Sequence, residues 1–69
     1  MIPKTKNTVR LLTRQAILVD TLERFQVNFE TELDHPNMQT IARLDAYQDA
    51  VRQLTTVVAE LRNAVERAH

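Results

Sequence analysis

The chain has no cysteine, no glycine, no tryptophan and no serine among its 69 residues, and only two prolines. Each absence removes a class of chemistry. Without cysteine there are neither disulfides nor thiolate metal sites. Without glycine, Walker-type and dinucleotide-binding loops are excluded, because their backbones approach phosphate where only glycine fits. With serine and cysteine both missing, the usual acyl-transfer nucleophiles are gone. An excess of charge of one sign is lacking too: nine basic and nine acidic residues give a formal net charge of zero and a pI near 6.7. That balance argues against a dedicated nucleic-acid binder, whose footprint is a basic excess. Long apolar runs are also missing. The longest, Ala16-Ile17-Leu18-Val19, is far short of the roughly 20 residues that cross a bilayer. The start, Met1 to Asn7, carries Lys4 and Lys6 but no apolar stretch behind them, so it does not read as a secretory signal. The chain is therefore expected inside the cell, in the cytoplasm or nucleus or within a particle, away from membranes.

At 8.0 kDa the chain is one domain, residues 1–69. Folding it as a compact globule would contribute on the order of 100 kcal/mol of apolar burial. Ordering the chain costs about 1.5 kcal/mol per residue, again on the order of 100 kcal/mol. The two cancel, and without disulfides or a metal the missing stabilisation is expected from another protein surface.

What is present is helical periodicity. The one strong punctuation mark, Leu33-Asp34-His35-Pro36-Asn37, separates two apolar-periodic segments. Proline disfavours the α conformation at the residue before it, so the first helix should end near residue 33. The sequence predicts a helix over about 5–33, a loop over 34–37 and a second helix over about 38–68. Thr5, Asn7 or Thr8 could cap the first, and Asp34 or Asn37 the second. A connection this short forces antiparallel neighbours, an αα-hairpin.

On the first segment, Leu11, Leu18, Leu22, Phe25 and Phe29 form a stripe at 3-4 spacing, interrupted by Gln15 and widened by Leu12, Val19 and Leu33. The second runs without a break through Leu44, Tyr47, Val51, Leu54, Val58, Leu61, Val65 and Ala68. Written as heptads, Leu44, Val51, Val58 and Val65 take position a, and Tyr47, Leu54, Leu61 and Ala68 take d. Ala50, Val57 and Ala64 fall on the adjacent g column. A two-stranded seam needs two apolar positions in seven, whereas a helix with two neighbours needs about three. Both stripes have that greater width. The expectation is an all-α hairpin that dimerises into a four-helix bundle, using the stripe residues Leu11 to Phe29 and Leu44 to Val65 just named for self-association.

Charges on the first helix are segregated. Lys4, Lys6, Arg10 and Arg14 occupy its start, and Asp20, Glu23, Glu30, Glu32 and Asp34 its end, opposed only by Arg24. This reverses the preference of the helix dipole. Packing the helix antiparallel to its own copy would set each basic end beside an acidic one; the alternative is that these charges are simply solvated. The second helix mixes both signs as an ordinary solvent face.

No catalytic, cofactor-binding or metal-binding residue is expected. His35 lies in the loop and His69 is the last residue, so no histidine pair at i, i+4 exists for zinc. Thr55 and Thr56 sit mid-helix and are expected to bond to preceding carbonyls. Gln26 is expected at the stripe's edge, whereas Gln15 could lie at the edge or form a buried polar layer. Phe25, Phe29 and Tyr47 are expected in the core, yet aromatics beside arginine also anchor interfaces. Arg24, Phe25, Arg43 and Tyr47 are therefore candidates for engaging another protein. The basic start could make at most a weak, salt-sensitive phosphate contact, and it has no interleaved aromatics for stacking on bases.

The run Arg10-Leu11-Leu12, Leu22-Glu23-Arg24-Phe25 and Phe29, a short loop, then Ile41-Ala42-Arg43-Leu44 and the Leu54/Leu61 heptad resembles the helical-hairpin segment near the start of Gag polyproteins of BEL/Pao-type retroelements. It covers about residues 8 to 66 and consists of leucine and phenylalanine spacing with scattered arginines. The resemblance implies self-association during particle assembly, although such segments open far longer chains. In size the chain is also similar to small phage-encoded proteins that bind host factors. Two functions are thus expected: an assembly module that binds itself, or a small protein that sequesters or inhibits another protein.

Overall fold

The computed structural model describes residues 5–68, with side chains to Arg67. The basic contribution of Lys4, the heptad position of the Ala68 side chain and the histidine at 69 lie outside the described residues. Two helices, α1 (Lys6–Glu32) and α2 (Met38–Ala68), pack against each other as a hairpin.

At the third position of each helix, threonine rather than glutamate completes a capping box. Thr5 caps α1: its hydroxyl accepts from the Thr8 backbone N–H at 3.2 Å, and its own N–H donates to Thr8 Oγ1 at 2.9 Å. The same reciprocal box opens α2, where the Thr40 N–H donates to Asn37 Oδ1 at 3.1 Å and the Asn37 N–H donates to Thr40 Oγ1 at 3.0 Å. Each box satisfies donors that a helix start would leave unpaired. Both third-position threonines then turn into the space between the helices, Thr8 at 2% exposure and Thr40 at 1%. Asn37, and not Asp34, is the second cap.

The turn needs no glycine because no described residue has a positive φ. α1 closes instead by tightening, with Asp34 N–H donating to the Thr31 carbonyl and His35 N–H to the Glu32 carbonyl, bonds of the 3₁₀ type. Pro36 stands just outside α2 and blocks further winding from α1.

Between the helices runs one seam at 3-4 spacing. α1 supplies Thr8, Leu11, Gln15, Leu18, Leu22, Phe25, Phe29 and Glu32; α2 supplies Thr40, Arg43, Tyr47, Ala50, Leu54, Val57, Leu61 and Ala64, all buried or half-buried. Leu11, Leu18, Val57 and Leu61 are its fully buried apolar centre, with Leu54 packed against them. Gln15 lies half-buried in this seam, and Gln26 is exposed.

Here the heptad frame shifts from the one read off the sequence. The seam takes the d and g columns of α2 and leaves the a column, Leu44, Val51, Val58 and Val65, beside it. Leu44, Val51 and Val58 are 42%, 39% and 49% exposed. Small Ala50 and Ala64 in the seam leave room for α2 to approach the leucines and phenylalanines of α1, which the β-branched column would hold further away. Thr40 and Arg43, committed by the cap and by a contact to Glu32, belong to the same pair of columns and fix the rotation of α2 at its start.

Candidate interaction surface

Relabelled so that the seam holds positions a and d, each helix has two flanking columns, e and g. The pseudo-twofold axis of an antiparallel pair stands perpendicular to the plane of the two helices. It carries each column onto its counterpart without changing face, so both e columns share one side and both g columns the other. One contact confirms the sidedness: Arg14, in column g of α1, donates to Gln53 Oε1, in column g of α2, at 2.5 Å.

The two faces differ in composition. The e face consists of Leu12, Val19, Gln26 and Leu33 from α1 with Leu44, Val51, Val58 and Val65 from α2. The g face consists of Asn7, Arg14, Thr21 and Asn28 with Gln39, Ala46, Gln53 and Glu60. Seven of eight positions are apolar on the first and one of eight on the second. Val9 and Ile41, both exposed, extend the apolar face toward the two ends of the hairpin. The leucines and valines of this row align along one side of the hairpin, whereas Ile17, Val27 and Met38, also exposed, stand singly elsewhere, as is ordinary on a protein surface.

The size of the exposed surface agrees. The hairpin measures 50 × 15 × 15 Å with a radius of gyration of 15.5 Å, against about 11 Å for a compact chain of this length. Its accessible surface is 5612 Å², whereas a compact monomer of 8.0 kDa exposes about 4,500 Å². The excess of about 1,100 Å² is comparable to one partner's share, about 800 Å², of a standard protein interface.

The residues expected to self-associate divide into three groups. Leu11, Leu18 and Leu61 are buried within the single hairpin; Leu22, Phe25, Phe29, Tyr47, Leu54 and Val65 are half-buried; Leu44, Val51 and Val58 are exposed. Of the four candidates for engaging another protein, Phe25 and Tyr47 meet in the seam. Their ring centroids lie 6.1 Å apart at 87°, and Phe29 completes the cluster at 5.6 Å from Tyr47 and 6.0 Å from Phe25. The Phe25–Phe29 pair is stacked within α1, whereas the two edge-to-face pairs with Tyr47 join the helices, such pairs contributing about 0.5–1.5 kcal/mol beyond area burial. Arg43 is bound to Glu32 across the seam. Arg24 pairs with Asp20 on its own helix at 2.9 Å and is largely exposed. The four therefore do not form one free patch.

Thr55 and Thr56 donate to the carbonyls of Val51 and Arg52 at 3.0 and 3.1 Å, as expected of mid-helix threonines. The Glu32–Arg43 pair recovers part of what the acidic end of α1 costs against the helix dipole. One Glu32 oxygen, Oε2, is buried and accepts no hydrogen bond among the described residues. No described cluster of histidine, aspartate or glutamate could hold a metal ion, and no described helix is long and apolar enough to cross a membrane. No protein-family model, curated protein or solved structure matches the chain significantly.

Proposed function

We propose that the chain is a non-catalytic assembly module that acts by binding its own copy, two hairpins closing face to face into a four-helix bundle. The observation that carries this reading is the one-sided apolar face, apolar at seven of its eight column positions, while the columns on the other side are polar at seven of eight. A hairpin needing only its own seam would have no use for a third apolar column on each helix. Closing the face removes from water valine and leucine side chains that are 38–56% exposed, each worth about half of the 1.5–3 kcal/mol for burying a fully exposed one. It supplies stabilisation that a staple-free chain of 69 residues otherwise lacks. The resemblance to Gag hairpins, which implies self-association, points the same way. The aromatic cluster packs into the seam, which weakens the case for it as the anchor of an unrelated partner.

Sedimentation of the full chain at micromolar concentration tests it. A species of twice 8.0 kDa is expected, and a fully helical monomer at that concentration would refute the proposal.

A further inference from the structure

The hairpin is electrically polar along its length. In the half nearest the termini, Lys6, Arg10 and Arg14 on α1 face an α2 whose Glu60 and Glu66 are balanced by Arg62 and Arg67, for a net charge of +3 over the described residues. In the half nearest the loop, Asp20, Glu23, Glu30, Glu32 and Asp34 outnumber Arg24, while Arg43 and Arg52 balance Asp45 and Asp49, for a net charge of −4. Intrahelical pairs, Arg24 with Asp20 and Arg62 with Glu66, leave the imbalance in place.

Resting on the reading that the apolar face binds a second copy, we infer that the two copies run in opposite directions, with their loops at opposite ends of the bundle. Two rods joined along one apolar face have two symmetric choices. With the loops together, α1 lies against α2 of the other copy at the same height, so the two halves of net charge −4 share one end and the two of net charge +3 the other, and α2, balanced in each half, brings α1 no net opposite charge. With the loops apart, α1 lies antiparallel to the other α1, and every acidic half meets a basic half.

The apolar columns accommodate the second choice without a shift, as they do the first, in which Leu12 lies level with Val58 and Val19 with Val51, so the charges decide between the two. Val19 and Val51 occupy nearly the same height on α1 and α2 and stand near the middle of the face, so a dyad there sets Val19 against Val19 and Val51 against Val51. Leu44 then meets Val58 of the other copy on α2, and Leu12 meets Gln26 on α1, each seven residues to either side of the dyad. The same register brings Lys6 within one helical turn of the other copy's Glu30 and Asp34. At physiological salt the Debye length is about 8 Å, so contacts at this range count while end-to-end fields are screened. The arrangement also explains why α1 tolerates charges that oppose its own dipole.

Because the chain has no cysteine, His35→Cys, in the exposed loop, takes a single nitroxide label whose coupling to its counterpart reads the arrangement directly. Loops at opposite ends put the labels about 45 Å apart at 1.5 Å rise per residue; loops together put them within about 25 Å. A long distance, reproduced by a label at Asn63→Cys near the other end, supports the inference. A short distance at both sites overturns it and leaves the self-association reading standing. Absent coupling in a sample that sediments as a monomer overturns both. Circular dichroism of each labelled chain verifies that it is folded.

Discussion

Arg14 and Gln53, separated by 39 positions in sequence, form a hydrogen bond across the hairpin, and that bond tells the two faces of the molecule apart. The columns on its side carry arginine, glutamine, asparagine and threonine. The columns opposite carry leucine and valine. A charge placed on either side therefore has a different consequence, although both positions are solvent-accessible in the single hairpin.

Val51→Glu should weaken self-association at least tenfold, the equivalent of about 1.4 kcal/mol, because closing the face would bury an unpaired carboxylate. Ala46→Glu, on the polar face at a comparable height, should change the dissociation constant less than threefold. Sedimentation equilibrium of the two variants beside the parent chain checks this, and equal effects would mean that the faces are not distinguished by binding.

Thr40→Val should destabilise the hairpin by about 1 kcal/mol, in the range of a lost helix cap. Valine fills nearly the same volume, so packing is conserved while Thr40 Oγ1 no longer accepts from the Asn37 N–H. Thr40→Ser, which keeps the hydroxyl, should retain the box and lose only the methyl group. Urea titration followed by circular dichroism compares the three chains, and a serine variant less stable than the valine one would show that packing, not the cap, dominates there.

How much of this was legible beforehand depends on the kind of signal. The hairpin was, since Pro36 limits α1 and unbroken 3-4 spacing defines α2. The rotation of α2 was not. Tyr47, Leu54 and Leu61 can pair with Val51, Val58 and Val65 or with Ala50, Val57 and Ala64, and both choices have the same period. What decides is long-range, the Arg43–Glu32 contact and the buried Thr40, and neither shows in a local pattern. The capping boxes were half legible: Thr5 and Asn37 were among the expected caps, but threonine at the third position replaces the glutamate or glutamine that normally completes the motif.

Leu61→Ala should cost about 2–5 kcal/mol, as for a buried leucine, because Leu61 is 8% exposed among Leu11, Leu18 and Val57. Leu54→Ala should cost less, since Leu54 is half-buried against that group. Denaturant midpoints at one fixed protein concentration give the comparison, with concentration held constant because a self-associating chain gains apparent stability by mass action. A smaller loss at Leu61 than at Leu54 would mean that the buried centre of the seam does not lie among Leu11, Leu18 and Val57.

The Glu32–Arg43 pair gives the sharpest test of how the loop end is held. Glu32 has a side-chain exposure of 20% and Arg43 of 40%, so the pair is only partly screened by water. Arg43→Met removes the cation and leaves the carboxylate half-buried, with one oxygen that already accepts no hydrogen bond among the described residues. Losing one partner of a partly buried pair should cost about 1–3 kcal/mol, chiefly as desolvation of the remaining charge. The double variant Glu32→Met/Arg43→Met replaces both charges with flexible apolar side chains and should recover most of that loss. A double variant as unstable as Arg43→Met alone would mean that Arg43 acts through its aliphatic packing rather than its charge. In that event the acidic end of α1 must be balanced elsewhere, and in the proposed antiparallel dimer Lys6 of the second copy would be the group to do so.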